Sequence, residues 1–558
     1  MSILENGLTA EALEVRVKGY GTYQVEYGTS VSELVSRLEN VPHKVVGVIK
    51  DNELKDLHHV LESSCSLELV DVSVEMGMRI YRRTGIFVMI KACRELFPER
   101  KLIIKHSLSN GLFCEFQGEE TNAKEVEDIE RHMKTIVARD FPINRMRMSK
   151  EEANVIFRQQ LQPEKIELFS YWDKDDVIIH EIDGLYDYFY GHLLPNTGAL
   201  GQFKVFNYPP GLILQTLEPD SPDQILPWVE LPKLFTIYDE AKDWADMLDT
   251  QNVSNLNHII EKGNAADLVR VNEALHEKKI AWIADQICSN PRLRLILIAG
   301  PSSSGKTTFA QRLLIQLRVN GRRPVSISMD NYFVNRDSTP RDANGDFDFE
   351  NINALKIDLF NDHLNRLIAG EEVEMPIYNF KNGCCEPEGE FLQVPHGELI
   401  IIEGIHGLNE QLTWRIPRIQ KFKIYVSALT QLNIDNVNRV PTTDARLIRR
   451  SLRDGRTRAY GARQTIERWP SVRRGEDRNI FPFQENADVM FNSALVYELA
   501  VLKDQIEPEL AAIGPEYPEH IHARRILGGF KYFKSIPPEL VPQNSILREF
   551  IGGSCFKV

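Results

Sequence analysis

A chain of 558 residues is longer than one hydrophobic core can organise, so three to four domains are expected. Its 42% hydrophobic and 26% charged content is that of a globular protein, and its formal net charge of -14 excludes wholesale binding of nucleic acid or anionic membrane, leaving only local basic patches. The seven cysteines, Cys65, Cys93, Cys114, Cys288, Cys384, Cys385 and Cys555, are scattered, odd in number and free of the C-x-x-C spacing of metal sites, which points to free thiols in a reducing compartment. The first residues, with Glu5 and Glu11, lack an apolar leader core, and no stretch approaches the length of a membrane span, so a cytoplasmic location and no membrane partner are expected.

In chain order, strand-like runs at 13–17, 23–27, 45–49 and 67–70 surround one amphipathic helical pattern near 31–38, the signature of a small sheet wrapped on a helix. Residues 1–73 resemble the TGS domain, a β-grasp module found at the front of threonyl-tRNA synthetases. Residues 74–208, through RRTGIFVMIKACRELFP at 82–98 and YFYGHLLPNTG at 188–198, resemble the α+β editing domain that follows it there. That resemblance implies an HxxxH pair and a CxxxH pair able to hold zinc. At the corresponding positions stand Arg83, Phe87, Tyr188 and His192, so only the last is kept. His106 and Cys114 lie nearby, and a lone buried His or Cys is more often structural than a ligand. RNA, tRNA or a small molecule is the partner this front half suggests.

Six prolines between Pro209 and Pro232 read as an irregular linker, and Leu256, Ile259, Ile260, Leu275, Ile280, Ile283 and Ile287 recur at helix-face spacing, giving a linker and helical connector over 209–288.

The back half, 289–510, turns on GPSSSGKT at 300–307. An apolar strand pattern (Leu293, Leu295, Ile296, Leu297, Ile298) precedes it, and a helical face (Phe309, Leu313, Leu314, Leu317) follows. Glycines there let backbone N–H groups cradle a polyphosphate, the Lys306 ammonium reaches the β- and γ-phosphates, and the Thr307 hydroxyl can ligate Mg²⁺. The ATP-binding set is Gly300, Ser302, Ser303, Ser304, Gly305, Lys306, Thr307 and Thr308, and the implied cofactors are ATP and Mg²⁺.

PVSISMD at 324–330 is a strand ending in Asp330, and LIIIE at 399–403 is another ending in Glu403. Ligands of parallel α/β sheets sit beyond the carboxyl ends of the strands, so both acids face the crevice of the loop: Asp330 as proton acceptor or metal ligand, Glu403 as a Walker-B-like carboxylate. The expected metal set is Thr307, Asp330 and Glu403. Arg446, Arg449, Arg450, Arg453, Arg456 and Arg458 crowd into thirteen positions, reading as a lid that neutralises phosphate or, alternatively, as a solvated or RNA-binding strip.

These residues, with SMDNYF, FDFEN, MPIYNF, IIIEGIHGL and RRSLRDGRTR in order, resemble the uridine kinase and phosphoribulokinase family of P-loop kinases, nearest its uridine/cytidine kinase branch. The resemblance implies a P-loop parallel sheet flanked by helices, catalysis by Lys306, Asp330, Arg453 and Arg458, and an acceptor held by Asp330, Glu350, Tyr378, Phe380 and Arg450. It implies transfer of the ATP γ-phosphoryl group to the 5′-hydroxyl of a nucleoside. Two positions depart from the pattern: Gly383 where a base-reading histidine is expected, and Tyr460 where a second arginine is expected. The runner-up is an RNA- or tRNA-associated regulatory protein with the P-loop as an NTPase switch. A GTPase is disfavoured by the absence of an NKxD reader, the one DxxG after the loop, 342–345, lying in a polar stretch. The 511–558 tail is apolar enough to dock, and self-association into a homo-oligomer is left open.

Overall fold

The computed structural model of the chain describes residues 12–341, 345, 347–379, 382–385, 389–430, 432–458 and 460–557. Glu5, Glu11, Phe380 and 342–344 of the DxxG stretch lie outside them.

At the front, Ala12–Val17 buries Leu13, Val15 and Val17 and exposes the residues between, the period of a half-buried strand. It pairs antiparallel with Gly21–Glu26 and parallel with Cys65–Asp71, and Val45–Lys50 and Glu53–Lys55 complete a five-stranded mixed sheet. The helix Val31–Ser36 lies against it, started by Ser30, whose hydroxyl accepts from the Glu33 N–H.

The next helix, Glu75–Leu96, is buried along most of its length. It packs on an antiparallel sheet in the order Phe203–Tyr208, Gly211–Thr216, Gly111–Phe116, Leu102–Leu108. A strand at Gly211–Thr216 corrects the expected linker, which was placed from 209. Its prolines mask a six-residue run, GLILQT, that is buried throughout in the middle of the front sheet. The connector then forms as three helices, Pro232–Met247, Val253–Glu261 and Ala265–Ser289.

The back half is an α/β unit on a parallel sheet in the order Val325–Ser328, Ile400–Glu403, Leu295–Ala299, Lys421–Ser427, Val489–Asn492. The central strand, Leu295–Ala299, is buried at every position, as a strand covered on both faces must be. The carboxyl ends of three strands therefore converge on the segment that follows Ala299.

Front and back interlock. Between the strand Lys421–Ser427 and the helix Thr442–Thr457 the chain inserts into the front half: Asn433 Nδ2 donates to the Ile104 carbonyl at 2.8 Å, and Asn438 Nδ2 donates to that of Tyr188 at 2.9 Å. Lys165 sits 2.9 Å from Asp187 and 3.0 Å from Asp435, all three buried. The two carboxylates hold the ammonium pKa up, and burial pushes the Asp187 carboxyl up. The tail docks as its apolar content predicts, with Ile546, Leu547 and Phe550 buried.

Candidate active site

The loop 300–305 joins the central strand to the helix Lys306–Val319. A side chain at Gly300 would collide with the Val426 carbonyl, and Gly305 adopts φ +80°, so both glycines are required by the backbone. Ser303 also has positive φ, 58°. Three serine carbonyls are pinned from behind: Arg446 Nε donates to that of Ser302 at 3.0 Å, Arg449 Nη1 to that of Ser303 at 3.4 Å, and the Ser493 hydroxyl to that of Ser304. Because a peptide's C=O and N–H point opposite ways, fixing these carbonyls sets the direction of the N–H groups that follow, of which that of Ser304 donates to the Pro301 carbonyl at 3.2 Å. The loop is held as an anion cradle, and the helix behind it adds the positive end of its dipole.

Two of the six clustered arginines are thereby accounted for, and not as a lid. Arg446 and Arg449 are almost fully buried and paired with Glu476 and Glu498. Burial at helix-facing positions, rather than contact with solvent, explains why they are arginines: each must satisfy both a carboxylate and a loop carbonyl, which needs a forked donor. Arg450 lies on the open side, with Nη1 2.8 Å from the Ser302 hydroxyl. Arg450, Arg453 and Arg458 gather around Asp454, at 3.2, 2.8 and 3.7 Å.

Thr307 and Glu403 are brought together: the Thr307 hydroxyl donates to Glu403 Oε1 at 2.9 Å. Burial pushes the Glu403 carboxyl up, against Lys306 and the Thr307 hydrogen bond, which pull it down. Lys306 is pushed down by burial, with Glu403 and Glu549 opposing. Asp330 falls in the short turn Met329–Tyr332 after its strand, and its pKa is raised by the crowded cleft against Lys306 and Arg458. Two carboxylates and a hydroxyl are hard oxygen donors, which suits Mg²⁺. Among the described residues no group of three or more His, Cys, Asp or Glu is assembled around a metal position. Nucleotide and water oxygens would have to complete the shell, as Mg²⁺ at phosphate sites requires.

Among the residues expected to hold an acceptor, Glu350 lies so close to Gly475 that a Cβ there would land on its carboxylate. Burial first, then the neighbouring Glu476, raises Glu350 to about 7, with Arg450 opposing. Tyr378 is buried with its ring 5.6 Å from that of Phe333, and pairs in register with Cys385. Gly383 has φ +70°, and a Cβ there would meet Arg336 Nε at 2.8 Å, so a guanidinium packs where a histidine was expected.

Three acids at this site escaped sequence reasoning. Glu476 accepts the Ser302 N–H at 2.8 Å as well as Arg446, Glu498 accepts Arg449, and Glu549 contacts Thr308. Glu476 belongs to ARQTIERWPSVRRGEDRN, which reads as a solvated charged helix. Its one signal was spacing, since Thr465, Trp469, Val472 and Glu476 share a helix face.

At the front, the four aligned positions do other work. Arg83 Nη1 donates to the His192 carbonyl at 3.2 Å, His192 Nδ1 lies 3.0 Å from Asp56, Tyr188 pairs with the Tyr532 hydroxyl, and Phe87 packs on Phe189. His106 is buried, stacked on Tyr238 at 3.8 Å, and Cys114 is buried in the sheet.

Residues 295–500 match the Phosphoribulokinase / Uridine kinase family. This kinase-family segment, under half of the chain, runs from the central strand into the helix Glu498–Ala511 and takes in the loop, Asp330, Glu403 and the arginine helix. The N-terminal region is similar to threonine–tRNA ligases. That of Desulforamulus reducens is 31% identical over 202 residues, covering 36% of this chain and 31% of the ligase. That of Thermotoga neapolitana is 32% identical over 168 residues, covering 29% and 26%. The chain spans under a third of the length of these relatives. Among solved structures, a possible uridine kinase from Bacillus stearothermophilus is 19% identical over 38% of this chain and 97% of its own, with a TM-score of 0.22. D-glycerate 3-kinase from Cryptococcus neoformans is 15% identical over 46% and 88%, with a TM-score of 0.21.

Proposed function

We propose that the kinase-family segment transfers the γ-phosphoryl group of ATP to the 5′-hydroxyl of a nucleoside. The observation that carries this reading is the pairing of Thr307 with Glu403 at 2.9 Å beside a pinned phosphate loop, with Asp330 at the end of the neighbouring strand. A loop with a lysine and a hydroxyl binds a triphosphate; a second, raised carboxylate in the same cleft gives a base for an attacking hydroxyl. Thr307, Asp330 and Glu403 would hold Mg²⁺ with the nucleotide, and the ion would supply neutralisation of phosphate charge.

In this reading Lys306 and N–H groups of the loop orient the triphosphate, and Arg450, Arg453 and Arg458 sit where phosphate charge accumulates. Asp330 accepts the proton of the acceptor hydroxyl as the oxygen attacks phosphorus. Glu350 grips ribose hydroxyls, and Tyr378 flanks the base.

The deciding experiment incubates the full chain with Mg²⁺, ATP and each nucleoside and measures monophosphate. Product is expected with at least one pyrimidine nucleoside and is lost in Lys306→Ala; Asp330→Asn should lower kcat by roughly 10²–10⁴-fold, the usual worth of a general base. No product with any nucleoside would sink the nucleoside claim.

The similarity of the N-terminal region to threonine–tRNA ligases favours a second reading, in which the front half, of TGS and editing-domain type, binds tRNA and the P-loop acts as a switch. Cutting after residue 210 would remove the buried strand Gly211–Thr216, so tRNA binding is best measured by gel shift on the full chain. Absence of a shift at micromolar protein would count against it.

A further inference from the structure

The first turn of a helix offers N–H groups with no partner inside the helix, and in a phosphate loop those are the donors a nucleotide takes. Here one set is already taken. Glu549 Oε2 accepts from the Thr308 hydroxyl at 3.0 Å and from the Thr308 N–H at 3.4 Å, and Thr308 is fully buried. Glu549 comes from the last helical turn of the chain, Arg548–Ile551.

The backbone that delivers this carboxylate is fixed. Ser545, Ile546, Leu547 and Phe550 are buried, and Ile546 sits so tightly on Gly305 that a Cβ there would collide with it. Arg456 Nη1 donates to the Phe550 carbonyl at 3.4 Å, and the Arg449 guanidinium lies 5.0 Å from the Phe550 ring. Arg548 ties the turn to the Gly552 carbonyl at 3.1 Å and to that of Val541. Removing the segment would dismantle core, whereas the Glu549 side chain is only half-buried and can swing on its own rotamers.

We propose that Glu549 is an internal competitor for the phosphate loop: its carboxylate occupies the Thr308 donors, and a nucleotide binds by displacing that one side chain. The proposal rests on the reading of 300–308 as a nucleotide site. A phosphate oxygen and a carboxylate cannot share one N–H and one hydroxyl, and two anions this close to Lys306 repel. The displaced carboxylate is poised to return, which weakens nucleotide binding and speeds release of the diphosphate product.

The test is calorimetric titration of Mg·ATP and of inorganic tripolyphosphate into the full chain, for the native protein, Glu549→Gln, Glu549→Ala and Lys306→Ala. Glu549→Gln keeps a neutral acceptor for Thr308 and should bind both probes about ten-fold tighter, the scale of one charge-assisted hydrogen bond. Glu549→Ala should do the same, and the gain should shrink as salt is raised. If Glu549 only caps the helix, both variants bind no tighter than the native chain, Glu549→Ala melts earlier, and the proposal is overturned while binding lost in Lys306→Ala keeps the nucleotide site standing. If neither the native protein nor Glu549→Gln binds either probe, the nucleotide reading falls and the proposal with it.

Discussion

At the scale of single residues, Glu350 is the most exposed to a pH test. Its pKa rises from 4.5 to about 7 on folding, through burial and then Glu476, so between those values the folded chain holds a proton that the unfolded chain has released. Stability from this group is therefore complete below about pH 4.5 and is lost as the pH rises through 7. Urea midpoints at pH 5 and pH 8 should fall further for the native protein than for Glu350→Gln; equal falls would show that Glu350 ionises freely. A second residue-scale expectation concerns Glu403. Its bond from Thr307 is a ground-state hold on the hydroxyl, and Glu403→Gln removes charge without removing shape. The variant should need several-fold more Mg²⁺ for half-maximal turnover, read from a magnesium titration at fixed ATP, and an unchanged requirement would remove Glu403 from the metal set.

At the scale of elements, the helix Thr442–Thr457 divides its arginines between two jobs, and they should separate in experiment. Arg446→Met leaves the buried Glu476 with only Arg473 at 3.1 Å and the Ser302 N–H, and should cost about 1–3 kcal/mol, with the Ser302 carbonyl released as well. Arg453→Met leaves Asp454 with Arg450 and should cost less than about 1 kcal/mol while lowering turnover strongly. Denaturation and kinetics on the same two variants check both statements. This division also marks how far the sequence could be read. GPSSSGKT, Asp330 and Glu403 were legible because strand ends and helix starts are local patterns, and local patterns fix which way backbone donors and strand-terminal acids point. The strand Gly211–Thr216 was hidden by prolines on either side, since punctuation by Pro says nothing of partners a hundred residues earlier. Arg446 and Glu476, charged and thirty positions apart, look solvated in sequence because their pairing exists only after two helices pack. Glu549 was out of reach for the same reason: nothing near the end of the chain announces a contact with residue 308.

At the scale of the whole molecule, the front and back halves share a buried charge cluster and a set of backbone contacts. Asp444, in the first turn of the arginine helix, is gripped by Arg525 with Nη2 at 2.8 Å and approached by Arg79 of the front helix Glu75–Leu96 at 3.8 Å. The helix that pins the phosphate loop is thus itself held by the front half. Lys165→Met leaves Asp187 and Asp435 facing each other without a cation and should destabilise the protein by about 3–5 kcal/mol. The native chain should unfold in urea with front and back probes, amide exchange protection of the front strand Gly211–Thr216 and loss of nucleotide binding, falling together, and Lys165→Met should part them. Coincident curves in that variant would mean the cluster does not join the halves.

The loop that reaches from 432 to 438 into the front half also has a meaning in time. Synthesis delivers Lys165 and Asp187 early, and Asp435, Asn433 and Asn438 follow about 250–270 residues later. At ribosomal speeds that interval is on the order of tens of seconds. During it the nascent front half carries a vacant seat: a lysine awaiting its second carboxylate, and the carbonyls of Ile104 and Tyr188 open to water. Residues 433–438 close the seat just before the arginine helix emerges, so the phosphate loop acquires its rear clamp only after the front half has been synthesised. A chain stalled before residue 432 should carry a folded front and a slack phosphate loop, and nucleotide capture would then serve as a readout of finished assembly.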